Sequence, residues 1–211
     1  MRIVVELEEE LKKRASRVLV TQAAAVGKLA AGREVVGAAL EVVNAARGSA
    51  RVVTTGMGKA GIIAGKMSAT LASIGVPSFF VHPAEALHGD VGRVAPGDLL
   101  VVFSHSGKTT EVVAMVNALD ELNDGKNRVV LVSGNERPAF RFDVLVCYGP
   151  VEESCVVSKV PTTSTTVMLV LADAIAVSAA EVLGLNDEWF EARHPGGAIG
   201  TSYKELREKS G

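Results

Sequence analysis

Two loops of small residues, each set between a β-branched run and an Ala/Met-rich stretch, constrain this chain more than any other feature. The first is Thr54-Thr55-Gly56-Met57-Gly58-Lys59-Ala60-Gly61, after Arg51-Val52-Val53. The second is Ser104-His105-Ser106-Gly107-Lys108-Thr109-Thr110-Glu111, after Leu99-Leu100-Val101-Val102-Phe103. A strand, a tight turn and a helix N-terminus leave backbone N–H groups unpaired beside the positive end of the helix dipole, which makes an anion site. The hydroxyls of Ser104, Ser106, Thr109 and Thr110 add donors without bulk. Two such units in one chain imply a phosphorylated small molecule held at one end of a sheet.

The rest of the chain keeps the same rhythm. Apolar residues at helical spacing predict two helices over residues 5–47, with Gly48 stopping the second. Strands are predicted at 51–55, 78–81, 99–103, 128–133 and 144–147, with helices at 62–74 and 109–123 and a short helix beginning at 83–86. Pro161-Thr162-Thr163-Ser164-Thr165-Thr166 reads as the N-terminus of a long apolar helix over 167–183. Strands alternating with helices imply an α/β fold, doubly wound, with a mostly parallel five-stranded sheet flanked by helices. Ligands of such sheets sit beyond the carboxyl ends of the strands, where the connections switch direction. Both loops fall there.

The 211 residues fit a single domain: N-terminal helices to 47, an α/β core with C-terminal helices over 48–200, and a tail over 201–211. A net charge of -2 with no basic block argues against nucleic acid as a partner. No run of about 18 apolar residues free of charge occurs, so no membrane span is expected. Cys147 and Cys155 have neither metal-knuckle nor CxxC spacing, which suits two reduced thiols in a cytoplasmic protein.

Four further features carry chemistry. Gly56, Gly58 and Gly61 form a GxGxxG pattern with Lys59 inside it, but no acid closes the next strand as a dinucleotide site requires. His82-Pro83-Ala84-Glu85-Ala86-Leu87-His88-Gly89-Asp90 holds two histidines and two acids, read as a His88–Asp90 hydrogen-bonded pair rather than as a metal site. Glu152-Glu153 follows the fifth strand, where a carboxylate could serve as a general base, tuned toward neutral pH by a partly dry pocket. His194-Pro195-Gly196-Gly197 ends the last helix and fixes His194.

Taken together, Gly56-Met57-Gly58-Lys59, the block from Pro77 to Asp90, Ser104-His105-Ser106-Gly107, Pro161 to Thr166, Asp173-Ala174-Ile175-Ala176 and His194 to Gly200 resemble the sugar isomerase (SIS) domain. Within it they resemble the D-arabinose-5-phosphate isomerases, over residues from about Leu11 to Gly200. The resemblance implies a cofactor-free aldose–ketose isomerase that interconverts D-ribulose 5-phosphate and D-arabinose 5-phosphate, on the route to Kdo and lipopolysaccharide. It implies catalytic roles for Lys59, His88, Glu111, Glu153 and His194, and substrate contacts from Gly58, Ser104, Ser106, Thr109 and Thr110. It also implies a homotetramer with pockets completed by neighbouring subunits. Many members carry paired CBS domains after the catalytic module, and a chain ending at Gly211 is read as lacking them. Many also carry Asn and an acid where His105 and Lys108 stand, and a Pro where Val156 follows Cys155. A non-catalytic sugar-phosphate sensor, or an isomerase of another phosphosugar such as 3-hexulose 6-phosphate, is the alternative. Residues 1–50 are too few and not basic enough for the DNA-binding domain of a regulator.

Overall fold

A computed structural model describes residues 2–29 and 33–194. Two long helices, α1 (Arg2–Gly27) and α2 (Arg33–Arg47), precede the α/β core. Then follow β1 (Val52–Gly56), α3 (Lys59–Ser73), β2 (Ser78–Phe80), α4 (Pro83–Ala86), a single 3-10 turn (Asp90–Arg93), β3 (Leu99–Phe103), α5 (Thr110–Leu122), β4 (Val129–Ser133), β5 (Val144–Cys147), α6 (Thr163–Val182) and α7 (Asp187–Ala192). All five strands run parallel in the order β2-β1-β3-β4-β5.

Every residue of β1, β3 and β4 is buried. That explains why β3 and most of β4 read as aliphatic runs rather than as alternations, and why β1 buries Thr54 and Thr55: helices cover both faces of the sheet. Side-chain alternation divides the core in two. Val52, Val101, Phe103, Val130, Val132 and Val146 pack against α2, α3 and α6. Val53, Leu100, Val102, Val129 and Leu131 pack against α4 and α5, the former through Ala86 and the latter through Met115, Val116 and Leu119. Two hydroxyls buried among them are satisfied: Thr54 Oγ1 donates to the Ala64 carbonyl (2.8 Å) and Thr55 Oγ1 to the Val81 carbonyl (2.7 Å). At the amino edge of the sheet, buried Asp98 accepts from the backbone N–H of Arg51 (3.0 Å) and of Ala95 (2.8 Å), which ties the start of β1 to the start of β3.

Several boundaries differ from the sequence reading, three of them at the site. β1 ends on Gly56 rather than Thr55, and α3 begins at Lys59 rather than Ile62. Thr163 to Thr166 form the first turn of α6, which starts at Thr163 rather than Val167, with Thr162 as its N-cap. By length and composition α6 could cross a membrane. Here one of its faces, from Val167 to Ala179, is core, and its Asp173 pairs with Lys66 of α3.

The strand order fixes where a ligand belongs. From β1 the chain moves outward to β2, then passes back over β1 to β3 on the other side. This reversal opens a crevice between the carboxyl ends of β1 and β3. The two small-residue loops flank it.

Candidate active site

The loop after β1 is built by its glycines. A side chain on Gly61 would stand 2.4 Å from the Gly56 carbonyl oxygen, and one on Gly56 would stand 2.9 Å from the Phe103 carbonyl oxygen. These two glycines let α3 start directly against the ends of β1 and β3. Gly58 has φ 59, a left-handed turn that favours glycine. It caps α3 without any side-chain hydrogen bond, so the first N–H groups of this helix stay open, with Lys59 at its first position.

The loop after β3 is knotted by its own hydroxyls. Buried Ser104 Oγ accepts from Gly107 N (3.1 Å) and lies 3.4 Å from Thr109 Oγ1. Ser106 Oγ accepts from Lys108 N (3.1 Å), and Asn135 Nδ2 donates to the Ser106 carbonyl (2.6 Å). Thr109 is the N-cap of α5, yet its side chain makes no capping bond. The hydroxyl-rich turn therefore leaves a second helix end open.

The N-terminus of α6 is closed instead. Glu153 Oε2 accepts from Thr162 N (2.7 Å), Thr162 Oγ1 (2.9 Å) and Ser164 N (3.3 Å). Ser154 braces the same turn, its N–H donating to Thr162 Oγ1 (2.9 Å) and its hydroxyl lying 2.7 Å from Thr163 Oγ1. Burial pushes the Glu153 carboxyl up, but the donors from Ser164 and Thr162 together outweigh it and hold the group below its ordinary value. The expected lift toward neutral pH is thus reversed.

These three helix ends meet at one cavity of about 460 Å³. It gathers Lys59, Ser104, Ser106, Thr109 and Glu153 from elements up to a hundred residues apart, with Met57, Val151, Pro161 and Met168 as an apolar lining. His105, Ser158, Lys159, Ser164 and Thr165 also face it. A larger hollow of about 670 Å³ between α1, α2 and α6 is lined, among the described residues, by aliphatic side chains and Ser178.

The remaining expected residues lie outside the cavity wall. Gly58 and Thr110 adjoin it as chain neighbours of Lys59 and Thr109. Glu111 sits in the first turn of α5, half-buried. His88 is exposed between α4 and the 3-10 turn, and the Asp90 carboxylate pairs with Arg93 (3.2 Å) instead of His88. The arginine one 3-10 turn along takes the carboxylate that the sequence reading gave to His88. His194 Nδ1 lies 2.7 Å from the Phe190 carbonyl, and its ring stacks on Phe190 at 3.9 Å. It follows α7, whose Trp189 ring packs on Gly75 just past the end of α3. That is the opposite end of α3 from Lys59, roughly 20 Å away at 1.5 Å per residue, so this chain does not bring His194 to its own cavity. Pro195 to Gly200 lie outside the described residues.

Sequence reasoning missed Ser158 and Lys159 as cavity residues. They belong to the irregular segment between β5 and α6, which has no periodicity to place it. It also treated His105 only as a departure from a pattern, although its place between Ser104 and Ser106 was a usable signal.

Residues 47–178 match the SIS domain family. The chain is 44% identical over 154 residues to the arabinose 5-phosphate isomerase KdsD of Escherichia coli K12, covering 71% of this chain and 45% of that protein. The KdsD of Pseudomonas aeruginosa is 44% identical over 154 residues, covering 72% and 47%. The chain thus spans less than half the length of these curated relatives. Among solved structures, a proposed phosphosugar isomerase of Bacteroides fragilis NCTC 9343 involved in capsule formation superposes with a TM-score of 0.82 at 36% identity, covering 92% of this chain and 98% of that one. The c3406 protein of Escherichia coli CFT073, solved in complex with arabinose 5-phosphate, gives 0.80 at 32% identity, covering 89% and 98%. With a doubly wound parallel sheet, two open helix ends at its switch point and this match over most of its length, the chain belongs to the SIS domain family.

Proposed function

We propose that the chain is an aldose–ketose isomerase that interconverts D-ribulose 5-phosphate and D-arabinose 5-phosphate through an enediolate, feeding Kdo and lipopolysaccharide biosynthesis in the cytoplasm. The observation that carries this is the meeting of two uncapped helix ends with Lys59 and Glu153 in one cavity at the β1/β3 switch. Similarity to KdsD and to a structure holding arabinose 5-phosphate supports the choice of sugar.

The phosphate lies on the Ser104–Thr110 loop, bound by open N–H groups of α5 and by the hydroxyls of Ser104, Ser106, Thr109 and Thr110. Glu153 is ionised at neutral pH and takes the C1 proton of the ketose. Its Oε2 is committed to three donors, so Oε1 is the atom that receives the proton. Lys59 stabilises the developing enediolate oxygen. Return of the proton to C2, with transfer of a hydroxyl proton from O1 to O2, gives the aldose and leaves the enzyme unchanged. His194 of a neighbouring subunit moves the proton between the oxygens, while Glu111 orients Lys59 or a sugar hydroxyl and His88 shapes the site. A homotetramer fits the exposed aliphatic side chains Val36 and Leu40 on α2, and Val177 and Val182 on α6, which rim the apolar hollow or lie beside it.

The test is turnover of the purified chain on D-ribulose 5-phosphate, with added chelator and a hexulose 6-phosphate control. Chelator-resistant turnover of the pentulose alone is expected. No turnover of either sugar, with phosphosugar binding retained, would overturn the isomerase reading in favour of a ligand-binding domain.

A further inference from the structure

His105 is held more firmly than an exposed loop residue requires. Its carbonyl accepts from Gly134 N (3.1 Å) and from Ser133 Oγ (3.2 Å). Its ring stacks on Tyr148 with centroids 5.7 Å apart and planes 24° from parallel. Its Nδ1 lies 2.8 Å from the Tyr148 hydroxyl. Gly134, whose φ is not left-handed, is a glycine for space: a side chain there would stand 2.6 Å from both Cε1 and Nδ1 of the imidazole. Three segments, at the ends of β3, β4 and β5, thus converge on one ring, and that ring lines the cavity with Ser104, Ser106 and Lys59.

We propose that His105 contacts the substrate, its Nε2–H donating to a phosphate oxygen of the sugar phosphate, and that Tyr148 is the positioning residue that sets this tautomer. The assignment follows from where protons can go. The Tyr148 hydroxyl has no hydrogen-bond partner besides His105 among the described residues. If Nδ1 carried the proton, the half-buried phenolic hydrogen would have no acceptor, whereas a phenol donating to Nδ1 satisfies both groups. Burial, and then the negative charge of Glu153, push the Tyr148 phenol well above its ordinary range, so it stays a donor. Nδ1 and Cε1 are then taken up by Tyr148 and Gly134. The Nε2 edge has no protein partner among the described residues, and the flanking Ser104 and Ser106 place it at the phosphate end rather than at the reacting carbons. A contact made equally in ground and transition states lowers KM and leaves kcat alone.

This inference rests on the phosphosugar reading of the cavity, and its test separates the two. In protein labelled with 15N-histidine, His105 is expected to show the Nε2–H tautomer, to lose that pattern in Tyr148→Phe, and to shift when D-arabinose 5-phosphate is added. His105→Ala is expected to raise KM about tenfold with kcat within about twofold, and His105→Gln, which keeps an N–H at similar reach, to recover part of the loss. An Nδ1–H tautomer in the wild type overturns the proposal, as does an unmoved His105 resonance at saturating sugar phosphate or a His105→Ala effect confined to kcat. If the wild type turns over no pentulose phosphate, the isomerase reading fails, and the tautomer and ligand-shift measurements still decide this proposal.

Discussion

The same substitution at two glycines of one helix is expected to act with opposite sign. Gly61 and Gly65 lie one turn apart on α3. A Cβ at Gly61 would meet the Gly56 carbonyl oxygen at 2.4 Å and its carbon at 3.2 Å, both backbone atoms that no rotamer change can move. A Cβ at Gly65 would meet nothing within 4 Å. Alanine in place of helical glycine contributes about 1 kcal/mol of stability at either position. Overpacking against backbone costs typically about 1–3 kcal/mol, with so short a contact at the upper end. Gly65→Ala should therefore stabilise by about 1 kcal/mol and Gly61→Ala destabilise by about 2 kcal/mol, a gap of about 3 kcal/mol. For a chain of this size that separates the two Tm values by roughly 6–12 °C. Because Lys59 and the open end of α3 ride on the Gly56–Gly61 contact, Gly61→Ala should also weaken phosphosugar binding, while Gly65→Ala should not. Urea titrations at fixed protein concentration and calorimetric titration with D-arabinose 5-phosphate measure both. Equal shifts of the same sign, or unchanged phosphosugar affinity in Gly61→Ala, would refute the claim that close packing at these glycines places the helix end.

Four other outcomes are expected. Glu153→Gln should lower kcat by roughly 10²–10⁴-fold. Because the folded Glu153 carboxyl is held below its ordinary value, its stabilisation is fully present above the unfolded value of about 4.3 and is lost as pH falls through the lower folded value. The urea midpoints of wild type and Glu153→Gln should accordingly converge at low pH, and a gap that persists unchanged there would contradict the capping role. Lys59→Met should lower kcat by about 10²–10³-fold through loss of a charge aimed at the enediolate; steady-state kinetics that show only a raised KM would remove Lys59 from the chemistry. Lys159→Ala should raise KM for the phosphosugar several-fold, more at low than at high salt, since this cavity lysine has no acidic partner among the described residues; a salt-independent KM would place its charge outside the site.

Much of this architecture was legible because it is periodic. β3 and β5 run from Leu99 to Phe103 and from Val144 to Cys147, as their aliphatic runs bounded by turn residues imply. The starts of α3 and α6 were harder. Lys59-Ala60-Gly61 and Thr163-Ser164-Thr165-Thr166 have weak or mixed helix propensity, and tertiary contacts decide there. α3 is seated by backbone packing at Gly56 and Gly61, α6 by a carboxylate from outside the helix. The same division holds for the site. Lys59, Ser104, Ser106, Thr109 and Glu153 could be read because each sits just past a strand, and parallel strands put all such positions at one edge. The His105–Tyr148 pair spans 43 residues and depends on the space left at Gly134, information that local pattern does not carry. His88 and His194 are each separated from the preceding strand by a helix, α4 and α7, so neither sits directly past a strand end.

The uneven treatment of the three helix ends gives the cavity a head and a tail. Two ends, α3 and α5, present bare N–H groups, while the third carries the Glu153 carboxylate. A dianion entering this space is drawn toward the bare ends and pushed away from the plugged one. On the proposed phosphosugar reading, this charge asymmetry favours a ligand lying with its phosphate on the β1/β3 side and its opposite end toward Glu153. The position of one capping carboxylate thereby biases the orientation of an anion that enters, apart from any chemical role.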